Sequence, residues 1–299
     1  MKQRSWFSSF ALLTMSAVAC TTARVTLAQT QTAINIPQEE TIQILVPPPE
    51  TKNQGVCSDF LAPVIETVIQ DPAYKGSSWG ILVESLAGET LYHYNANRLF
   101  IPASNVKLLT TAAALQKLSP DALIHSKSLQ EWITITNLES NNRYADTLLR
   151  SIGGSNVVKE TLAQLGVDPA SYRMADGSGL SRQNAATPGA MVSILRAMYS
   201  APERGVFLAS LPVAGMSGTL KNRLKQTPAQ GVVYAKTGTL RGVRTLSGYL
   251  NHPHYKTLVF SVMVNQPNRS GQSLVKAIDE IVLRLSLLSP CEPESLHRS

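Results

Sequence analysis

Residues 105–118 read NVKLLTTAAALQKL, and this stretch is the clearest determinant of the fold. Its small and aliphatic residues lie on nearly every side of a helix rather than along one stripe. A helix that is apolar all round is buried in a protein core. The sequence therefore predicts a central helix here, with the rest of the chain packed around it.

Segments with strand character lie on both sides of this helix in the sequence. Residues 78–86 and 89–95 are β-prone and flank Ala87-Gly88, a two-residue turn that is typical of a hairpin. Three further β-prone runs come late in the chain, at 232–239, 243–250 and 256–265. This order predicts that strands from both ends of the chain meet in one antiparallel sheet.

Helical periodicity appears at 57–70 and 272–288, and residues 128–200 look mostly helical. The two terminal helices are expected on one face of the sheet and the helical middle region on the other. The predicted fold class is α/β (α+β), an antiparallel sheet flanked by terminal helices plus an all-helical subdomain.

The first 28 residues have the pattern of a secretory signal peptide. Lys2 and Arg4 form a basic start, residues 6–19 are mainly apolar, and small residues at 26–28 form a cleavage site. Cys20 also follows small residues, which leaves lipoprotein anchoring as an alternative. The pattern predicts export, with the periplasm as the location.

The rest of the chain has one stretch that predicts no compact structure. Residues 29–55 contain four prolines and little periodicity, which predicts a flexible linker. One folded domain is expected at 56–290, with a helical subdomain at roughly 104–225 and a tail at 291–299.

Composition excludes several classes of protein. With 43% hydrophobic residues, the chain is neither disordered nor collagen-like. It has 27 basic and 20 acidic residues, but removal of the signal peptide takes away three basic residues and no acid. This mild excess does not predict nucleic-acid binding, and no other apolar run approaches the ~18 residues of a membrane span.

Cys57 and Cys291 are the cysteines that remain after cleavage at residue 28. In an oxidising compartment they allow one disulfide between the two ends of the domain. Two buried free thiols are the alternative, and the spacing leaves both open.

Ser104 and Lys107 lie three residues apart at the start of the central helix, so their side chains share a face. A serine hydroxyl needs an adjacent base to become a nucleophile, and a buried lysine suits this task because desolvation disfavours its charged form. Ser273 and Lys276 repeat the spacing, but the simpler interpretation there is a surface match on the last helix.

Two further groups complete the candidate site. Ser140 and Asn142 precede a predicted helix, so they either cap its N-terminus, point into a cleft, or do both. Lys236, Thr237 and Gly238 lie on a predicted strand, where a lysine usually faces solvent. A strand glycine often marks the close approach of a ligand or another backbone.

Other polar residues have simpler interpretations. Asp176, followed by Gly177, is a base for a deacylating water or, as we favour, a turn former. His125, His252 and His254 lack metal-ligand spacing and are expected at the surface. The sequence therefore predicts no metal and no cofactor.

In this order, S-x-x-K, S-x-N and K-T-G match the signature set of serine β-lactamases and penicillin-binding proteins. The chain resembles peptidase family S13, the D-alanyl-D-alanine carboxypeptidases and endopeptidases of the penicillin-binding protein 4 type. The resemblance implies a β-lactamase/transpeptidase-like fold. It covers nearly all of residues 57–288 and includes IPASNVKLLTTAAAL, ESNNRYADTLLR, DGSGLSRQNAATP, LPVAGMSGTLKNR and AKTGTLRGVRTLSGYL.

The resemblance implies roles for the first two motifs. Ser104 would attack the carbonyl of the penultimate D-Ala, with Lys107 as the proton acceptor. Ser140 would relay a proton toward the leaving amine, and Asn142 would orient the substrate amide.

The third motif is implied to bind the end of the substrate. Lys236 would supply positive potential for the terminal carboxylate, Thr237 would hydrogen-bond it, and Gly238 completes the motif. The backbone N–H groups of Ser104 and Thr239 would form the oxyanion hole.

The implied function is a serine DD-peptidase that acts through an acyl-enzyme on peptidoglycan stem peptides, as a carboxypeptidase or endopeptidase, and is inhibited by β-lactams. A β-lactamase or esterase is an alternative, although no Glu-x-x-x-Asn follows Ser140. A non-catalytic wall-binding module is another, since only 36 positions separate Ser104 from Ser140, where family members usually carry long extra domains.

Overall fold

A computed structural model describes residues 56–266 and 271–291. The predicted signal peptide, Cys20 and the predicted linker lie outside these residues, as does the C-terminal tail beyond Cys291. Among the described residues, no helix combines the length and the apolar character that crossing a membrane requires.

The described segments contain the predicted order of a helix, two strands, a helical region, three strands and a helix, together with several two-residue strands that were not predicted. In chain order they are β1 (Val56–Cys57), α1 (Leu61–Ile69), β2 (Ser78–Ser85), β3 (Thr90–Tyr94), α2 (Val106–Lys117), β4 (Leu123–Ile124), β5 (Lys127–Ser128), α3 (Leu129–Leu138), α4 (Asn142–Ser151), α5 (Ser155–Gln164), β6 (Tyr172–Arg173), β7 (Ala185–Ala186), α6 (Pro188–Ser200), α7 (Arg204–Ala209), β8 (Val233–Leu240), β9 (Val243–His252), β10 (Lys256–Asn265), α8 (Gly271–Ser286) and β11 (Leu288–Ser289).

The main sheet has five antiparallel strands in the order β3-β2-β10-β9-β8. Strands from both ends of the chain meet at its centre, where Phe260 of β10 pairs with Val83 of β2 and Gly248 of β9. The predicted antiparallel sheet is therefore confirmed. Strand β8, which carries the K-T-G motif, forms one edge.

Two apolar cores cover the two faces of this sheet. Side chains alternate between faces along a strand, so Phe260 and Val262 of β10 join the cluster of α1 and α8, whereas Val259 and Met263 join the cluster of α2 and α6. The terminal helices thus share one face and the helical region covers the other, as predicted. Each large apolar side chain buried in this way contributes about 1.5–3 kcal/mol.

Helix α2 is the centre of the second core. Residues 106–115 are all buried, which confirms the prediction from its all-round apolar pattern. Its polar residues are satisfied within the core, since the Thr110 hydroxyl donates to the Gly177 carbonyl (3.1 Å) and the Thr111 hydroxyl to the Lys107 carbonyl (2.7 Å).

The region between α2 and β8 is not all-helical, which corrects the prediction. Two short antiparallel pairs, β4–β5 and β6–β7, interrupt its helices. Strands of two residues have no measurable period, so pattern analysis misses them. Trp132 of α3 contacts the β4–β5 pair, because its indole N–H donates to the Ile124 carbonyl (2.8 Å).

The two ends of the described domain are joined to each other. Strands β1 and β11 pair in parallel, and Cys57 and Cys291 form a disulfide with their Cα atoms 4.7 Å apart. Among the described residues, Cys57, Asp59 and Cys291 form the one cluster with metal-ligand atoms close together, and its two sulfurs are bonded to each other rather than free.

His252 is buried, contrary to the expectation that it lies on the surface. Only 5% of it is exposed, and its Nδ1 accepts hydrogen bonds from the backbone N–H groups of His254 and Tyr255 (both 3.1 Å). His252 is the last residue of β9, which ends two residues later than predicted. Its ring therefore lies next to the β9–β10 turn and accepts hydrogen bonds from the turn backbone.

Candidate active site

Ser104 lies in a 3-10 turn, Ala103–Asn105, that leads directly into α2. The main sheet holds this turn closely. The Thr245 hydroxyl on β9 donates to the Pro102 carbonyl (3.0 Å), and a Cβ at Gly238 would lie 2.6 Å from the same oxygen. Glycine in the K-T-G motif therefore allows β8 to approach the backbone beside Ser104.

Lys107 is fully buried one turn after Ser104. Its ammonium nitrogen donates to three oxygens: Ser104 Oγ (2.9 Å), Asn142 Oδ1 (2.8 Å) and the Ser178 carbonyl (2.5 Å). Burial lowers the pKa of Lys107 to about 8, although the nearby carboxylates of Asp146 and Asp176 act in the opposite direction. A neutral lysine is therefore accessible near physiological pH, within reach of the serine hydroxyl.

Three consecutive polar residues at the start of α4, Ser140, Asn141 and Asn142, have different contacts. Asn141 caps the helix, its side chain accepting from the Tyr144 N–H (3.2 Å). Ser140 has a positive φ of 59°, and both Ser140 and Asn142 line the cleft next to Ser104. Because capping falls to Asn141, its two neighbours are available for contacts with the lysines.

Lys236 is fully buried, so the usual solvent-facing orientation of a strand lysine does not apply here. Its nitrogen donates to Ser140 Oγ (2.8 Å) and to the Thr237 carbonyl (3.1 Å). Burial, and then the positive charge of Lys107, hold the pKa of Lys236 well below its ordinary value. The two lysines thus reach the site from different elements, Lys107 from α2 and Lys236 from β8.

The cleft is open to solvent and has a volume of about 370 Å³. Five residues predicted for the site line it directly, while both lysines lie beneath its surface and Gly238 packs behind it. The lining residues are Ser104, Ser140, Asn142, Gly179, Leu180, Thr219, Arg223, Thr237, Thr239, Leu240 and Val275.

Two contributors were missed by the sequence analysis. The Thr219 hydroxyl lies 2.8 Å from that of Thr237, so two hydroxyl groups form one polar wall of the cleft. Arg223 lines the same wall and is held by Asp279 of α8 through a bidentate ion pair (2.6 Å). Both residues belong to the quoted segment LPVAGMSGTLKNR, but no residue-type rule singles them out.

The second S-x-x-K match has none of these features. Ser273 and Lys276 lie on α8, and the Lys276 side chain is exposed. Lys276 therefore lacks the burial that Lys107 has beside Ser104.

A family model described as the D-Ala-D-Ala carboxypeptidase 3 (S13) family matches residues 61–124 and 122–285. The chain belongs to this family. The two matched segments meet between α2 and α3, which is where family members were expected to carry extra domains.

Two relatives show how much of the family's length is present. The chain is 43% identical over 163 residues to the D-alanyl-D-alanine carboxypeptidase of Actinomadura sp. (strain R39), covering 49% of this chain and 30% of the relative. It is 33% identical over 183 residues to penicillin-sensitive carboxypeptidase A of Dictyostelium discoideum, covering 54% and 34% respectively. The match therefore spans about a third of the length of these relatives.

Solved structures confirm the fold class. Penicillin-binding protein 4 of Haemophilus influenzae, solved with a β-lactam, aligns with a TM-score of 0.65 at 16% identity, over 74% of this chain and 99% of that one. A class A β-lactamase from Bacteroides cellulosilyticus aligns with a TM-score of 0.63 at 23% identity, over 77% and 98%. The fold is transpeptidase-like.

Proposed function

We propose that the chain is a serine DD-peptidase that cleaves D-Ala-D-Ala or cross-link bonds of peptidoglycan stem peptides through an acyl-enzyme. The observation that carries this proposal is the contact of Lys107 Nζ with Ser104 Oγ (2.9 Å), at a lysine whose pKa is lowered to about 8. Membership of the S13 family supports the choice of substrate class.

The first step is acylation of Ser104. Neutral Lys107 accepts the hydroxyl proton as Ser104 Oγ forms its bond to the carbonyl carbon of the penultimate D-Ala. The resulting oxyanion is placed near the backbone N–H groups of Ser104 and Thr239, whose residues line the cleft. A positioned base contributes about 10²–10⁴ in rate, and each oxyanion donor about 3–4 kcal/mol.

The second step is departure of the leaving amine. Ser140 Oγ lies 2.8 Å from Lys236 Nζ and faces the cleft, so it is suited to give its proton to the amine as the carbon–nitrogen bond breaks. The proton that Lys107 took from Ser104 then restores the Ser140 hydroxyl and leaves Lys107 neutral. Asn142 is held by Lys107 and orients the substrate amide. Water then hydrolyses the ester and returns Ser104 to its hydroxyl form.

Recognition of the terminal carboxylate is assigned to Lys236 and Thr237. A carboxylate bound beside Lys236 would raise the pKa of that lysine, because an opposite charge favours the ammonium form. At about 4 Å and an effective dielectric of ~20, the attraction is about 4 kcal/mol. Thr219, paired with Thr237, adds a second hydroxyl to the same wall.

The proposed setting is the periplasm. The predicted signal peptide supports export, and peptidoglycan stem peptides are the proposed partners, with β-lactams as inhibitors that mimic the acylating substrate.

Labelling with a fluorescent penicillin tests this function. We expect a covalent adduct that mass spectrometry places on Ser104, together with release of D-Ala from a peptide that ends in D-Ala-D-Ala. Ser104→Ala should abolish both, and Ser273→Ala, the matched control in the second S-x-x-K pattern, should change neither.

Other outcomes would favour the alternatives. Rapid turnover of the penicillin without a lasting adduct would indicate a β-lactamase. An adduct on Ser273, or none at all with peptidoglycan binding intact, would contradict the assignment of Ser104.

A further inference from the structure

Asp176 is fully engaged in organising the loop that follows it. Its Oδ1 accepts from the N–H groups of Ser178 (3.1 Å) and Gly179 (2.6 Å) and from the side chain of Asn184 (3.0 Å). Its Oδ2 accepts from the Ser181 N–H (2.6 Å). Although burial raises the pKa of Asp176, these hydrogen bonds lower it overall, so the group is a carboxylate.

The loop that Asp176 organises contacts both members of the catalytic pair. The Ser178 carbonyl accepts from Lys107 Nζ (2.5 Å). Gly179, with a φ of +87°, packs closely on the Ser104 turn, Ala103–Asn105. A Cβ at Gly179 would lie 2.8 Å from the Ser104 nitrogen. The loop therefore covers the base on one side and supports the nucleophile on the other.

We propose that Asp176 is a positioning residue of the active site, which acts through Ser178 and Gly179 to hold Lys107 in place and to exclude water from it. This inference rests on the proposed function. A role as the base for a deacylating water is not compatible with the geometry, because both carboxylate oxygens are occupied and Asp176 is not among the described residues that line the cleft.

The charges that face Lys107 come from three elements. Asp146 on α4 and Asp176 in the loop favour the ammonium form of Lys107, and the charge of Lys107 in turn lowers the pKa of Lys236 on β8. Burial is the largest influence on Lys107 and outweighs both carboxylates. Opening the loop should therefore raise the pKa of Lys107, also in Asp176→Ala, where one negative charge is removed as well.

The test compares two turn-forming aspartates. Asp168 closes an exposed turn through a hydrogen bond from the Ala170 N–H (2.9 Å), and makes no hydrogen bond to Lys107 among the described contacts. We expect Asp176→Ala to lower the acylation rate at pH 7 by about 10²-fold, as for a displaced catalytic group. The midpoint of its pH–rate profile should rise above that of the wild type. Asp168→Ala should match the wild type in both.

A second variant separates the loop from the charge. Gly179→Ala forces the loop away from the Ser104 turn and leaves every charge in place. It should also lower the rate and raise the midpoint. If Asp176→Ala does not fold, Gly179→Ala tests the proposal in its place. A midpoint that is unchanged or lower in the folded variants would overturn the proposal.

A direct readout distinguishes this inference from the proposed function. In protein labelled with 13C-lysine, NMR follows the titration of Lys107, and Lys107→Arg identifies its signal. Absence of any penicillin adduct in the wild type would count against the peptidase. An unchanged Lys107 pKa in the folded Asp176→Ala and Gly179→Ala variants would overturn the positioning role, whether or not the wild type is acylated.

Discussion

Both faces of the main sheet are covered by apolar cores, but only one of them also buries charged groups. Toward α1 and α8 the sheet packs aliphatic and aromatic side chains, among them Ile81, Phe260 and Ile278. Toward α2 the buried set also includes two lysines, Lys107 and Lys236. One face gains stability from nearly every side chain, whereas the other holds charges whose burial is costly unless they are neutralised or paired.

The difference shows where the chain sacrifices stability for chemistry. A lysine in water keeps its proton near pH 7 and is a poor base, so lowering its pKa requires burial. The apolar face and the disulfide at the ends of the domain stabilise the fold that makes this burial tolerable. Substitutions near Lys107 and Lys236 should therefore change mainly the acylation rate, whereas substitutions in the rest of the fold should change mainly the free energy of unfolding.

The largest expected effect is on the catalytic face. Lys107→Ala should lower the acylation rate by about 10²–10⁴-fold, because the proton acceptor is lost. Lys236→Ala should retain more activity, since solvent and Thr237 partly replace its charge. Both rates are measured with one β-lactam on protein shown by circular dichroism to be folded. Wild-type acylation by Lys107→Ala would exclude Lys107 as the base.

The sequence was most informative where contacts are local or periodic. The five strands of the main sheet follow from their β-prone runs and the turn between two of them, and the buried helix α2 follows from its all-round apolar pattern. The S-x-x-K spacing also places Ser104 and Lys107 on one helix face. These features depend on neighbours within a few residues, so a single sequence contains the necessary information.

Long-range packing could not be predicted. Lys107 contacts Asn142 and the Ser178 carbonyl, which are 35 and 71 residues away. Lys236 is buried, and its ammonium group contacts Ser140, which is 96 residues away, so no local pattern contains this contact. The Thr219–Thr237 pair was missed for the same reason.

The next largest effect is expected from removal of the disulfide that joins the two ends of the domain. Replacing Cys57 and Cys291 together by serine should lower the free energy of unfolding by about 3–5 kcal/mol, since the bridge closes a loop with a sequence separation of 234. Acylation by the folded protein should not change. Denaturant unfolding and penicillin labelling measure the two quantities. A parallel loss of acylation in fully folded protein would show that the ends and the catalytic face are coupled.

The smallest effect measures the cost of burying Lys107. The pKa of Lys107 is about 8 in the folded protein and 10.5 ordinarily, so the folded state binds fewer protons between these values and wild-type stability rises with pH through that window. The variant Lys107→Met has no titrating side chain at this position and so lacks this pH-dependent contribution to stability.

The wild type should therefore gain about 2 kcal/mol relative to Lys107→Met between pH 7 and about pH 9.5. Apart from Lys236, whose pKa the charge of Lys107 lowers, the titrating groups are common to both proteins and largely cancel in the difference. Urea unfolding of the two proteins across this range measures it. A constant difference would mean that Lys107 is not destabilised by burial, and the contrast between the two faces would then have to rest on Lys236 alone.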